Sequence, residues 1–450
     1  MFSIMWETTS PRKTRIFDMK AVRTIISSLW LVASPSAMAC SGVTFELSGF
    51  GRTNESWVRE YLELDSVGTE PSAEKLESIR QKLMTTDIFT SVTIAQKINA
   101  DTSCTILLEA TEKLTTIPVF RGEYGGGTPL AVLGGYSFNT FGRLFAVGGE
   151  IRRYGNMAPG AFLFFKSPRA WNGRGRWGAE LWLDRRIRPF FDDAGQRYGD
   201  AKSEAWTAKM QWLYPVAEGW QAGFQAQALR ERPTVFELDA NYQGPAKTAP
   251  KDLFFDSKGG GGGVLGPMLA HDGLMVEGLN LSGLKFTLTA GRTQAANRQG
   301  LSAEGELFAF ARLPQDVNLA SRIFTAKSNQ NSLGTVFYLG GFDSIRGLPD
   351  GLHYGNSAAI GNFEARIIAA KFKYAHLQPA LFLDTGSAWM EGENLSQNRE
   401  TSFGGGLRIS VPQVLRLILR VDYGWSVGHT KSSGLNIGIN QFFQPQKLVF

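Results

Sequence analysis

The 450-residue sequence is poor in the residues that usually mark a metal or redox centre. It has two cysteines, Cys40 and Cys104, and four histidines at 271, 353, 376 and 429. The histidines are scattered, with no H-E-x-x-H pair and no other metal-ligand spacing, so no metal and no cofactor is expected. Beyond residue 40 no apolar run reaches about 18 residues, so no transmembrane helix is expected. The formal net charge is +6, but no basic block is long enough for a nucleic-acid tail; the charge is read as a mildly positive lumen or surface. The glycine run Gly259 to Gly263 has no following Lys-Ser/Thr, which excludes a phosphate loop and leaves a flexible loop or a kinked strand.

Glycine and aromatics, by contrast, are plentiful: 51 Gly, 31 Phe, 11 Tyr and 11 Trp stand beside only 18 Pro. That balance suits many short strands, tight turns and interfacial anchors. The amino terminus reads as a secretory signal over residues 1–39. Lys20 and Arg23 precede the apolar run Ile25 to Ala33, and Ala37-Met38-Ala39 forms an A-x-A cleavage pattern, with Met19 an alternative start. Cleavage after Ala39 would leave Cys40 first, with Ala37 where a lipoprotein signal usually has Leu.

Residues 42–113 read as one small α/β unit. Val43 to Leu47 forms a short strand. Thr53 is expected to cap a helix bearing Trp57, Val58, Tyr61 and Leu62, and Ser72 a second with Leu76, Ile79 and Leu83 at spacings of three and four. Phe89 to Ile98 and Cys104 to Ala110 then make two strands joined by a polar turn around Asn99 and Asp101.

From Thr116 onward the period changes to two. Leu415, Leu417, Leu419, Val421, Tyr423, Trp425 and Val427 are placed on one strand face, with Arg416, Arg420, Asp422 and Ser426 on the other and Ile418 the exception. Trp206, Ala208, Met210 and Trp212 alternate with Thr207, Lys209 and Gln211, and Trp220, Ala222, Phe224, Ala226 and Ala228 with Gln221, Gln225 and Gln227. Alternation also describes a soluble sandwich. Three features favour a transmembrane β-barrel: Trp and Tyr near strand ends, Gln, Arg and Lys faces suited to a wet lumen, and the export signal. Residues 116–450 are assigned to the barrel, with about 16 antiparallel strands at roughly 20 residues per strand and connection; the boundaries between 232 and 300 are left open.

Three segments carry a family resemblance. The order β-α-α-β-β with Ile88-Phe89-Thr90-Ser91-Val92 and the ending Glu109/Glu112 resembles a POTRA domain. Ile345-Arg346-Gly347-Leu348 resembles the V-R-G-F/Y motif in the sixth extracellular loop of the BamA/TamA-type outer-membrane assembly and translocation superfamily, and Phe382-x-Asp384-x-Gly386 resembles its F-x-D-x-G motif. The tail from Asn436 to Phe443, with Gly438, Phe442 and Phe443, resembles its C-terminal β-signal, and Phe450 is a second candidate end for that signal.

The resemblance implies a loop folded into the barrel, its Arg346 held by acids on the wall. Periodicity nominates the acids. Phe363, Ala365 and Ile367 share one face, so Asn362, Glu364 and Arg366 face inward; Leu381 and Leu383 point out, so Phe382 and Asp384 point in. A guanidinium can hold a carboxylate through two parallel hydrogen bonds, which makes Arg rather than Lys the fitting tether. In POTRA topology the first and third strands are parallel neighbours, which brings Cys40 and Cys104 close. A disulfide, a lipidated Cys40 and a free thiol all stay open.

The function that the resemblance implies is assembly or insertion of outer-membrane proteins, or translocation of polypeptide. The partners would be outer-membrane lipid, unfolded outer-membrane or secreted clients and periplasmic accessory proteins, with no nucleic acid. The location would be the bacterial outer membrane, with the small domain in the periplasm. A passive pore or a structural, lipid-organising barrel is the alternative, since fold does not fix function. No enzyme is expected. Asp384-Thr385-Gly386-Ser387 also resembles an aspartic-protease motif, but that chemistry needs a second carboxylate sharing a proton, and no second D-T/S-G occurs. No G-x-S-x-G elbow is present, and a patatin-like lipase domain is not expected.

Overall fold

A computed structural model describes residues 40–66, 70–123, 129–170, 175–232, 235–253, 260–277, 279–295, 298–331, 333–341, 344–415 and 417–439. The signal reading of 1–39 and the tail residues Phe442, Phe443 and Phe450 lie outside them, as does Gly259.

The front domain is built from β1 (Val43–Ser48), α1 (Glu55–Leu62), α2 (Ala73–Thr85), β2 (Phe89–Ile98) and β3 (Cys104–Glu112). The sheet order is β1-β3-β2, with β1 parallel to β3 and β2 antiparallel to it. A parallel neighbour needs a crossover, and the two helices supply it. Trp57, Val58 and Leu62 of α1 and Ile79 and Leu83 of α2 bury against Phe45, Ile106 and Leu108 of the sheet.

Ser72 caps α2 as expected, its side chain accepting from the Lys75 amide, but the cap of α1 is Asn54, not Thr53. Asn54 Oδ1 accepts from the Trp57 amide at 3.2 Å. Thr53 is drawn elsewhere: it is buried, its amide donates to Glu112 at 2.8 Å, and its hydroxyl accepts from Asn139 of the barrel at 2.9 Å. Sequence spacing could not separate the two neighbouring cap residues, because a contact 86 residues away claims one of them.

Cys40 and Cys104 form a disulfide, with Cα atoms 5.5 Å apart and 64 residues between them in sequence. The bond ties the start of the domain to β3 beside the Val43–Cys104 register pair.

The rest of the described chain is one large antiparallel sheet whose strand order returns to its start. Nineteen strands follow one another round it. Three are fragments of 4, 3 and 2 residues (Val235–Leu238, Met275–Glu277 and Ala370–Lys371), which leaves sixteen long ones among the described residues. Gly260 to Gly263 open the strand Gly260–Asp272, so the glycine run is strand rather than loop where it is described.

Alternation sets the two faces. Leu381 and Leu383 are 71% and 46% exposed, whereas Phe382 and Asp384 between and beside them are buried. The outer face carries exposed Leu133, Leu163, Leu181, Phe224, Phe363 and Trp425. The inner face carries buried Glu150, Gln211, Glu306, Asn362 and Arg420. This is apolar-out and polar-in, the reverse of a soluble protein. Among the described residues no helix is long and apolar enough to cross a membrane.

One strand assignment changes. The strand expected from Leu415 begins only at Ile418 and ends at Ser426. Leu415 is not on an outer face but fully buried in the front-domain core, because the turn between the strands Glu400–Ser410 and Ile418–Ser426 inserts it there. Its apolar character fitted the alternation by coincidence.

Removing the disulfide should weaken the front domain alone. By chain entropy, a loop of this length is worth about 4 kcal/mol. Cys40→Ser with Cys104→Ser should therefore accelerate amide exchange over 43–112 while the strands from Thr116 onward keep their protection. Hydrogen–deuterium exchange read by mass spectrometry checks this; unchanged protection in 43–112 would contradict it.

Candidate functional site

The site is built by one loop and five inner-facing strand positions. The loop between the strands Val317–Ser328 and Ser357–Ile367 contains a small hairpin, Phe337–Leu339 paired with His353–Gly355, which brackets the Arg346 segment. Leu339, Ile345, Leu348 and Leu352 of the loop are buried against Ala358, Ile360 and Ala388 of the wall. Burial of these apolar side chains draws the loop inward and carries Arg346 with it.

Arg346 is fully buried. Its Nε donates to Asp384 Oδ2 at 2.7 Å and its Nη2 to Asp384 Oδ1 at 2.7 Å, the two-pronged geometry that lysine cannot make. Its backbone amide also donates to Asp384 Oδ2, at 3.1 Å. Nη1 donates to Glu364 Oε1 and, at 3.4 Å, reaches Asp422 Oδ2. The guanidinium carbon stands 3.5 Å from the centre of the Phe382 ring, so the ring face covers the cation. Asn362 completes the cradle: its Nδ2 donates to the Ser344 carbonyl at 2.7 Å and to Asp384 Oδ1 at 3.0 Å.

Glycine is required where the loop meets the wall. Gly347 has φ +88°, and a Cβ there would lie 2.7 Å from the backbone of Gly424. The Gly347 carbonyl accepts from Ser432 Oγ at 2.7 Å. A second loop contact lies further along: His353 Nε2 and Glu400 Oε1 are 3.0 Å apart, and Glu400 also accepts from the Thr430 amide at 2.9 Å.

Of the residues nominated from sequence, Arg346, Glu364, Phe382 and Asp384 meet in one cluster, with Gly347 beside it. Gly386 lies two residues further up the wall strand, paired with Ile360 and with Glu400 rather than touching the cation. Gly438 lies in the last described strand, opposite Arg420 and away from the loop.

Sequence reasoning put Arg366, Arg420 and Asp422 on inner faces without assigning them to the site, and missed Arg408. Arg408 Nη2 donates to Glu364 Oε1 at 2.7 Å, and its Nη1 donates to Asp422. Arg366 Nε donates to Glu364 Oε2 at 2.6 Å, and Arg420 Nε lies 3.4 Å from Asp422 Oδ2. Four guanidiniums thus face three carboxylates, a net of one positive charge in a buried network. The available signal was arginine recurring at inner-facing positions of three strands near one end of the sheet order: 366, 408 and 420.

Residues 300–443 match the model of the Omp85 superfamily domain. All seven charged members of the network fall within that span. Three solved structures are similar to this chain in fold. BamA from Haemophilus ducreyi lacking POTRA domains 1-3 matches at TM-score 0.54 and 14% identity, over 89% of this chain and 84% of that one. CdiB from Acinetobacter baumannii matches at TM-score 0.56 and 12% identity, over 90% and 74%. CdiB from Escherichia coli matches at TM-score 0.52 and 10% identity, over 92% and 93%. No curated protein matches the sequence.

Removing the central cation leaves three carboxylates buried around an empty place, a change that costs about 3–5 kcal/mol when one partner of a buried pair is lost. Arg346→Ala should therefore free the loop, seen as faster amide exchange over 337–355 and a lower melting temperature. Arg346→Lys should recover only part of the protection, because a single ammonium cannot span both oxygens of Asp384. Full recovery by lysine would show that charge alone, not fork geometry, holds the loop.

Proposed function

We propose that the chain is an outer-membrane barrel with one periplasmic POTRA domain, and that it inserts or translocates polypeptide. The observation that carries this reading is the buried tether: Arg346 of an inward-folded loop, bound to Asp384 and Glu364 of the wall, within an Omp85 superfamily domain. A pore that only passes solutes has no need of a loop arginine held by three buried wall carboxylates. The parallel β1–β3 pair, the two helices and the antiparallel β2 support the POTRA reading of the front domain. The apolar outer face supports insertion in lipid. The likeness to BamA and CdiB structures supports the barrel architecture at the level of fold.

A closed barrel offers no free strand edge to a client. Client strands must enter where the barrel loosens, or a chain must pass through the lumen. The two strands that meet at the seam are Thr116–Glu123 and Ser433–Ile439, the first and last strands of the large sheet in chain order among the described residues. No turn joins these two strands to each other, so parting them breaks backbone pairing without straining a connection. No bond-making chemistry enters the proposal; the driving energy comes from client folding and binding.

Two cysteines placed across the seam test the first route. Oxidising them should abolish support for outer-membrane protein content in a depletion strain, and reduction should restore it. If both the locked barrel and a barrel lacking the front domain sustain normal outer-membrane protein content, the transport reading falls and a pore or structural barrel stands in its place.

A further inference from the structure

We propose that the front domain is a staple across the seam, and that the turn bearing Leu415 is its pin. The inference rests on the reading of the large sheet as a membrane barrel that parts at its seam.

The domain grips two barrel turns, and they lie on opposite sides of the seam. The turn 141–144 joins the second and third barrel strands counted from Thr116. The turn 411–417 joins the third-last and second-last strands counted back from Ser433–Ile439.

On the first side, Asn139 Nδ2 donates to Thr53 Oγ1 at 2.9 Å, and the Asn54 amide donates to the Gly142 carbonyl at 3.0 Å. Gly142 has φ +68°, and a Cβ there would stand 2.6 Å from the Asn54 nitrogen, so the approach is open only to glycine. Phe138 and Leu144 pack against the domain core from the same side. On the other side, Leu114 and Val414 form a short parallel bridge. The Leu114 amide donates to the Gln413 carbonyl at 2.8 Å, and the Leu415 amide donates to the Leu114 carbonyl at 3.0 Å. The Leu415 side chain, fully buried, then completes the core that Trp57, Leu83 and Ile106 begin.

The consequence is mechanical. Glu112 accepts from the amides of Arg52 and Thr53 at 2.8 Å each, which fixes the segment touching the first turn to the end of β3, and β3 leads directly into Leu114 at the second. One cross-linked domain therefore spans both grips. The barrel cannot part at this end unless the domain releases a turn, so a docked domain confines opening to the loop end. The release step is withdrawal of Leu415, which uncovers apolar core and leaves the domain incomplete.

Distance measurements by pulsed electron spin resonance on the full chain in lipid nanodiscs test this. The native cysteines are paired, so nitroxides go on introduced ones. One pair, Thr116→Cys with Ile437→Cys, reports the seam near the domain; another, Glu60→Cys with Lys373→Cys, reports docking. The unaltered background should give narrow distributions for both. Leu415→Asp should broaden both at least twofold. Gly142→Val, which leaves the domain core intact, should do so from the barrel side.

Broadening of the docking pair with an unchanged seam pair would overturn the staple, as would a docking pair that stays narrow in both variants. The readout needs no client. A seam that loosens while outer-membrane protein content stays normal would uphold the staple and count against the transport reading.

Discussion

A guanidinium taken out of water is costly, and Arg346 is fully buried. It is tolerable only because Asp384, Glu364 and Asp422 are already gathered on the inner wall, and because Phe382 covers one face of the cation. Arg346 lies among all three carboxylates, and Arg408 lies between Glu364 and Asp422 as well. Loop and wall are coupled chiefly through Asp384, which takes both prongs of Arg346, while Arg366, Arg408 and Arg420 of the wall lie against Glu364 and Asp422. Arg408 and Arg366 bind Glu364 from other directions, so the strands Ser357–Ile367, Glu400–Ser410 and Ile418–Ser426 are joined by charge as well as by backbone pairing.

Such a network is a strong constraint rather than a large stabiliser. Buried ion pairs give back in attraction roughly what they cost in desolvation, but breaking one is expensive. The arrangement thus selects a single loop position and penalises others. The seam between Thr116–Glu123 and Ser433–Ile439 holds no member of the charged network, and the front domain contacts turns on both of its sides.

Much of the fold was legible because alternation is a local property. Inner and outer residues of a strand follow from its own sequence, and so Glu364, Phe382 and Asp384 could be placed in the lumen without knowing their neighbours. Three positions show where that ends. Thr53 and Asn54 are equally good caps by type, and only the Asn139 contact separates them. Leu415 matched the outward pattern yet belongs to another domain's core. Arg408 lies on an inner face among small residues, and nothing in its own strand says that Glu364, 44 residues earlier, will be its partner.

The sequence by itself determined the strand period, the two-part organisation into a small α/β domain and a β-rich remainder, the inner-face residues and the motif that sends Arg346 into the lumen. Each of these depends on residues a few positions apart. Only the tertiary structure decided which four arginines and three carboxylates share one network, that Cys40 pairs with Cys104, and that a turn near the chain's end fills the core of the domain at its beginning. Those facts are set by the closing of the sheet and the docking of the domain, which bring together residues tens to hundreds of positions apart. No local pattern encodes that distance.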